Sequence, residues 1–217
     1  MKTYDKVHEK VLREGLFIFA ALLQKKEYKG LSDAIFFTWW TSLLFKYQDF
    51  YRFSVDLDFS VDYKARVEGK KCSLLFDALK FWIEEYLRQA WEMVFESDNS
   101  REIYFVGEKG TRWIKIDWMY DLTLKSEDLI IDDITIQKAS DYDIVLNKLM
   151  RLNKTDISDI QYILKQSTIT TKEILKGLEK KWKHVHGNVD YLIHKSMHLR
   201  EKKKKDLFIL QDLLAWS

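Results

Sequence analysis

The sequence predicts an α+β fold, with a mixed β-sheet and flanking helices in residues 1–135 and a helical domain in residues 136–217. Two observations support this division. Short apolar or alternating runs, typical of strands, occur mainly in the first half, whereas the second half has helical periodicity almost throughout. With 217 residues, 47% of them hydrophobic, the chain is long enough to bury a substantial core.

In the first half, helical and strand patterns alternate along the chain. Apolar residues at helical spacing predict a helix over residues 4–25. The run DAIFFTWW (33–40) predicts a short buried strand, and TSLLFKY (41–47) predicts the start of a helix that Thr or Ser can cap. The next elements are a strand at RFSVDLDFSVD (52–62), a helix at SLLFDALKFWIEEYLRQA (73–90), and strands at WEMVFES (91–97), REIYFVG (101–107) and RWIKIDWMY (112–120).

The second half begins with a short predicted strand at DDITIQ (132–137) and continues as helices. Each helical segment starts with a Ser, Thr or Asn suited to N-capping. The four segments are SDYDIVLNKLMRL (140–152), TDISDIQYILKQ (155–166), TTKEILKGLEKKWKHV (170–185) and NVDYLIHKSMHLREKKKKDLFILQDLLAW (188–216).

Composition excludes several classes of protein. The single cysteine, Cys72, rules out an internal disulfide framework and is typical of a reducing compartment. No apolar run is long enough for a membrane span and the N-terminal segment does not read as a signal peptide, so we predict a cytoplasmic protein with no membrane partner. The net charge is only +2, but the region from Lys172 to Lys205 is strongly basic. Such a region is either a surface for a phosphate-rich partner or a solvated helical face.

Three aspartates form the candidate chemical site. Asp56 and Asp58 are two residues apart on a predicted strand, so they share a face and repel unless a basic side chain or a metal ion lies between them. Asp117 lies in the apolar run WIKID of another strand, where a carboxylate is costly unless it is paired. Together they could bind one or two Mg²⁺ ions, or Mn²⁺. Alternatively, Asp56 and Asp58 form ordinary ion pairs, for example with Arg52 or Lys115.

Three motifs resemble one known family. RFSVDLDF, WIKID and VLNKLMRLNKTDISDIQYIL are similar, in order and spacing, to motifs of nucleotidyltransferases of the AbiEii toxin type, within the polymerase-beta-like superfamily. The family motifs have the forms R-x-S-x-D-L-D-F, I-K-I-D, and a helix with K-L followed by R-D-x-x-D. The similarity extends over residues 34–165, and the last 50 residues match no motif. The resemblance implies a nucleotidyltransferase-like fold.

The resemblance also implies an activity and assigns residues to it. A Mg²⁺-dependent enzyme would move a nucleotidyl group from an NTP to a hydroxyl of RNA, such as a tRNA end, or of protein, as the toxin of a toxin–antitoxin or phage-defence system. Asp56, Asp58 and Asp117 would bind metal, and Asp117 would also orient or deprotonate the acceptor. The residues assigned to nucleotide binding are Thr41, Ser42, Arg52, Ser54 and Lys148, with Lys148 meeting the triphosphate across a cleft. Asp156 and Asp159 would support the cleft, unless they are ordinary acidic residues of a helix N-terminus. The basic C-terminal helices would meet RNA, and an antitoxin protein is a further expected partner.

The sequence departs from the family at one motif. Where the family has a Gly-Gly turn in G-G-T-A-L, this chain has Trp39 and Trp40 before Thr41. Glycines allow the backbone to approach phosphates closely, and two indoles do not. Three explanations are open: Thr41 and Ser42 still bind phosphate, the phosphate site has shifted, or activity has been lost. The last makes the chain a nucleotide- or RNA-binding regulatory module, with the tryptophans packed in the core or stacked on a base.

Overall fold

The computed structural model describes residues 6–47, 54, 56–90, 94–96, 102–107, 110–151 and 154–186. The chain divides into two compact units, Met1–Ala139 and Ser140–Ser217. The first unit ends with the last strand of the sheet, so residue 135, where the sequence pattern placed the boundary, lies inside that strand.

The first unit contains three α-helices and seven strands among its described residues. The helices are α1 (Lys6–Leu23), α2 (Trp39–Lys46) and α3 (Gly69–Ala90). The strands are β1 (Ile35–Phe37), β2 (Asp56–Asp62), β3 (Val94–Glu96), β4 (Glu102–Gly107), β5 (Gly110–Asp121), β6 (Ser126–Ile131) and β7 (Ile134–Ala139). Short 3₁₀ turns at Lys26–Tyr28 and Tyr63–Ala65 lie between these elements.

All seven strands form one mixed sheet, in the order β3-β4-β5-β2-β1-β7-β6. The pairs β2–β5 and β1–β7 are parallel, and the other neighbours are antiparallel. The mixed sheet and its helices confirm the predicted fold class. Strand β6 was not predicted; it forms a hairpin with β7 around Asp132, which has a φ of 50°, a left-handed conformation that Asp tolerates better than most residues.

The core lies between one face of the sheet and helices α1 and α3. Alternate residues of β2 and β5 point into it, and they pack with apolar residues spaced at helical intervals on α1 and α3. On this face, the ring centroids of Phe19 and Phe59 are 4.4 Å apart and those of Phe59 and Phe76 are 5.2 Å apart. The core residues on these two strands are Leu57, Phe59, Val61, Ile114 and Ile116. Residues of the opposite parity, including the three candidate aspartates, therefore lie on the other face of the sheet.

The second unit is helical over its described residues, with α4 (Asp141–Arg151), α5 (Lys154–Gln166) and α6 (Thr171–His186). Two of the predicted caps are present. The Oγ of Ser140 accepts the backbone N–H of Asp143 at 3.3 Å. Thr170 and Glu173 form a reciprocal capping box, each side chain accepting the other residue's backbone N–H, at 3.3 and 3.0 Å. The fourth predicted helix, 188–216, lies outside the described residues.

No helix in the described parts of the chain combines the length and apolarity that crossing a membrane requires.

Candidate active site

The parallel pairing of β2 with β5 brings the three aspartates together. Asp58 is the register partner of Asp117, and Asp56 is the register partner of Lys115. Register partners in a sheet share a face, and neighbouring strands lie about 4.8 Å apart. The four side chains therefore form a two-by-two block on the face of the sheet opposite α1 and α3. The sequence pattern predicted that these carboxylates come from neighbouring strands, and the register adds that two of them are direct neighbours.

Lys115 provides positive charge within this block. Its Nζ forms an ion pair with Oδ2 of Asp117, and the two side chains are 32% and 20% exposed. The hydrogen bond to Asp117 raises the pKa of Lys115, as do the charges of Asp117, Asp56 and Asp58, against the opposing effect of burial. The alternative gave Asp56 and Asp58 ion pairs with Arg52 or Lys115, whereas the ion pair of Lys115 is with Asp117. Lys115 acts on Asp56 and Asp58 as a nearby positive charge.

The donor set of the block is chemically suited to a hard divalent cation, because it consists of carboxylate oxygens on a half-buried strand pair. Within the described residues, however, no three His, Cys, Asp or Glu side chains converge as ligands of one metal ion. Asp117 is turned to Lys115 instead. The backbone register fits a metal site, whereas the side-chain arrangement is that of an ion pair.

The first turn of α2 is hydrogen-bonded to β2 at Asp56 and Asp58. The backbone N–H of Thr38 donates to the carbonyl oxygen of Asp58 at 2.9 Å. The hydroxyl of Thr41 donates to the carbonyl oxygen of Asp56, and that of Ser42 donates to the carbonyl oxygen of Trp39 at 2.7 Å. Both hydroxyl residues are fully buried. In this arrangement Thr41 holds the turn against β2 and Ser42 hydrogen-bonds within the turn, and their contact with phosphate stays a prediction.

Trp39 adopts a backbone conformation that normally belongs to glycine. Its φ is 62°, in the left-handed region, although it is the first residue of α2 and its side chain is half-buried. Left-handed backbone costs an L-residue about 1–2 kcal/mol. The position where the resembling family has a glycine therefore keeps a glycine-type conformation here, with an indole attached. The apolar character of Trp39 and Trp40 predicted that they extend the preceding strand. They instead begin helix α2.

Two other predicted nucleotide-binding residues precede the aspartates on the chain. Ser54 is buried, and its Oγ accepts the backbone N–H of Asp56 at 3.4 Å. Arg52 lies outside the described residues, as does the basic region beyond residue 186. The nucleotide-binding roles of Ser54 and Arg52, and the RNA-binding role of the basic region, stay predictions.

In the second unit, Lys148 is the centre of a buried ion-pair cluster. Its Nζ donates to Oδ2 of Asp159 at 3.1 Å and lies 3.6 Å from Oδ1 of Asp156, with all three side chains 0% exposed. Arg151 donates two further hydrogen bonds to Asp156, at 2.9 and 2.6 Å. Burial lowers the pKa of Lys148 to about 8, against the opposing charge of Asp159. Lys148 is therefore not a solvent-facing lysine. Asp156 and Asp159 bind its ammonium, so they are not simply acidic residues of a helix N-terminus that face water.

Sequence reasoning missed a second buried pair in this unit. The Nζ of Lys181 lies 3.1 Å from Oδ1 of Asp143 and donates to Oδ1 of Asn147 at 2.6 Å. Lys181 and Asp143 are both about 1% exposed. The signal in the sequence was weak: Lys181 follows Ile174 by seven residues and Gly177 by four, which places it on the buried face of α6.

Comparison with known proteins agrees with the motifs. The family model described as nucleotidyl transferase AbiEii toxin, type IV toxin–antitoxin system, matches residues 41–214. No curated protein matches the sequence significantly. One solved structure, an antigenic nucleotidyltransferase-like protein from Paracoccidioides brasiliensis, is 13% identical, with a TM-score of 0.46 over 82% of this chain and 90% of that chain.

Proposed function

Since this chain belongs to the AbiEii family of nucleotidyl transferase toxins, we propose that it transfers a nucleotidyl group from an NTP to an acceptor hydroxyl. The observation that carries the proposal is the β2–β5 register, which sets Asp58 directly beside Asp117 and Asp56 one step further along. Two carboxylates from one strand and a third from its neighbour are the donor set that phosphoryl chemistry uses.

In the proposed reaction, Asp56, Asp58 and Asp117 would hold Mg²⁺, with Mn²⁺ as a substitute. The cation, when bound, supplies charge stabilisation for the phosphate oxygens. Asp117 orients the acceptor hydroxyl and takes its proton. The hydroxyl oxygen then bonds to the α-phosphorus, the bond from that phosphorus to the bridging oxygen breaks, and pyrophosphate leaves.

The first turn of α2 is the proposed location of the triphosphate. Helix N-termini present unsatisfied N–H groups and a positive dipole end, and this one is fixed to β2 through Thr38 and Thr41. The resemblance also assigns Lys148 to the triphosphate. Because Lys148 is buried between two carboxylates, that role would require its ammonium to leave Asp159 when nucleotide binds.

The acceptor is proposed to be RNA, such as the end of a tRNA, because the chain is strongly basic between Lys172 and Lys205. A protein hydroxyl is the alternative acceptor. As the toxin of its pair, the protein would inhibit growth when expressed without its antitoxin, and transfer to RNA would be the cause.

The test is NTP binding and transfer by wild type and by Asp58→Asn. We expect wild type to bind an NTP with Mg²⁺ or Mn²⁺ but not with EDTA, and to transfer labelled nucleotide to RNA from a cell extract. Asp58→Asn should lose both properties and the inhibition of growth. Asp62→Asn is the matched control, because Asp62 lies on the same face of β2 and pairs in register with Asp121, outside the block. Equal transfer by wild type and Asp58→Asn would refute the proposal.

A second candidate function is favoured by the conformation of Trp39. An indole held at a glycine-type position beside the proposed triphosphate suits a protein that has lost transfer and binds nucleotide or RNA as a regulatory module. This candidate predicts metal-independent binding of NTP or RNA, with no incorporation of label into any acceptor.

A further inference from the structure

Lys115 lies at the centre of a group of carboxylates. Strand β5 runs between β4 and β2, so Lys115 has Glu102 as register partner on one side and Asp56 on the other. Directly opposed residues in a sheet have Cβ atoms about 5 Å apart. Asp117 is two residues further along the same strand and on the same face, and its carboxylate already forms an ion pair with Lys115. Asp58 completes the group as the register partner of Asp117.

One carboxylate therefore has two competing roles. Oδ2 of Asp117 accepts the ammonium of Lys115 in this structure, and Asp117 is also the carboxylate that the proposed function gives to the metal. A lysine ammonium and a divalent cation repel each other at this spacing, because both positive charges would lie within one cluster of side chains. Occupation of the block by metal and the Lys115–Asp117 pair are thus mutually unfavourable.

The side chain of Lys115 can move away from Asp117. It is 32% exposed, so part of it is in contact with solvent. A lysine ends in a compact charge on a flexible four-carbon stem, which can move without any change in the backbone of β5. The anion nearest to a metal bound by this block would be the phosphate chain of the NTP that arrives with it.

We propose that Lys115 is a counter-ion that occupies the acidic block in the metal-free protein, leaves Asp117 when a divalent cation enters, and then binds a phosphate group of the NTP. The inference rests on the proposed function, since it assumes that Asp56, Asp58 and Asp117 bind metal. Lys115 is in this account a positioning residue for the metal and a ligand for the nucleotide. Lys115 weakens the binding of metal when nucleotide is absent and strengthens it when nucleotide is present.

The experiment measures Mn²⁺ binding to wild type and to Lys115→Met, from the electron paramagnetic resonance signal of free Mn²⁺, without nucleotide. Lys115→Met keeps the apolar stem and removes the charge. We expect it to bind Mn²⁺ at least about fivefold more tightly than wild type, the lower end of typical coupling between two sites. Lys70→Met is the matched control, because Lys70 is exposed on the first turn of α3 and the same charge is lost there.

Loss of the Lys115 charge should have the opposite effect on nucleotide affinity. With saturating Mn²⁺, Lys115→Met should bind a non-hydrolysable α,β-methylene NTP at least about fivefold more weakly than wild type, whereas Lys70→Met should bind it as wild type does. Lys115→Gln, which keeps a polar side chain of similar length, is the second variant in case Lys115→Met does not fold. In the background of Asp117→Asn, removing the Lys115 charge should change Mn²⁺ affinity much less, because the shared carboxylate is gone.

Two results would overturn the inference, and they separate it from the proposed function. If wild type binds Mn²⁺ through Asp58 and both Lys115 variants bind it equally or more weakly, the metal site stands and the counter-ion role fails. If neither wild type nor any Lys115 variant binds Mn²⁺, the block is not a metal site and both proposals fail. Mn²⁺ binding by Lys115→Met alone would support the inference.

Discussion

Replacing Trp39 by glycine and by alanine separates the backbone of this residue from its indole. Both variants lose the half-buried side chain, and only glycine is unstrained at a φ of 62°. Left-handed backbone costs alanine about 1–2 kcal/mol. Glycine gives back part of that difference, about 0.5–1 kcal/mol, because its unfolded chain is more flexible. We therefore expect Trp39→Gly to be more stable than Trp39→Ala by about 1 kcal/mol.

The assay is thermal or denaturant unfolding of the two variants under identical conditions. For a chain of this length, 1 kcal/mol corresponds to a difference in Tm of about 2–4 °C. The free energy of wild type minus that of Trp39→Ala gives the packing contribution of the indole at constant backbone strain. NTP binding to the same proteins then reports on function. If the indole obstructs the phosphates, both variants bind NTP more tightly than wild type; if it stacks on the base, both bind more weakly.

Trp39→Ala more stable than Trp39→Gly, by about 0.5–1 kcal/mol, would refute the reasoning, because that is the order expected without left-handed strain. It would mean that residue 39 does not hold a left-handed conformation in solution, so the turn before α2 would not be of the glycine type. This chain would then lack the backbone geometry of the family motif, whatever the NTP measurements show.

Four further predictions concern the second unit. Lys148→Met should destabilise this unit by about 3–5 kcal/mol, because buried Asp159 loses the ammonium of Lys148, whereas Asp156 keeps its ion pair with Arg151. The pKa of Lys148 is about 8 in the folded chain and 10.5 when unperturbed, so between pH 8 and 10.5 the unfolded chain binds more protons than the folded chain. The free energy of unfolding should therefore rise with pH across this range. Lys148→Met should abolish that rise. Thr170→Ala should cost about 1 kcal/mol in denaturant unfolding through loss of the α6 cap, and exposed Thr168→Ala should cost almost nothing. Gly177→Ala should be destabilising by about 1–3 kcal/mol in spite of better helix propensity, since the added Cβ would lie 2.2 Å from Oη of Tyr142; a neutral result would mean that this contact relaxes freely.

The sequence is sufficient to predict that Asp56 and Asp58 share a face of the sheet. It is not sufficient to predict which residue of β5 lies beside each of them. The two-residue period of a strand puts Asp56 and Asp58 on one face, and the apolar neighbours of Asp117 predict a strand around it. Which residue of β5 lies beside which residue of β2 depends on long-range packing, so the direct pairing of Asp58 with Asp117 needed the structure. The same holds for Lys115, which the pattern names only as one possible ion-pair partner.

Three other features left little or no local signal. Strand β6, with the sequence SEDLII, has only Leu129 and Ile131 buried, so its alternation is short and its first half is polar. A tryptophan gives no indication of positive φ, because that conformation is imposed by the surrounding turn. Lysine on an amphipathic helix is normally exposed, and the carboxylates that allow Lys148 to be buried lie on the next helix.

The pairing of β2 with β5 also determines when the acidic block can form during synthesis of the chain. Between these strands the chain must add α3, β3 and β4, so Asp58 is synthesised well before Asp117 reaches its place beside it. Contacts between distant segments form only after the chain between them has been made and closed into a loop. A polypeptide released before β5 would carry two of the three aspartates and no block. Translation that stops before β5 therefore leaves the block incomplete, and any opening of β5 from the sheet separates Asp117 from Asp56 and Asp58.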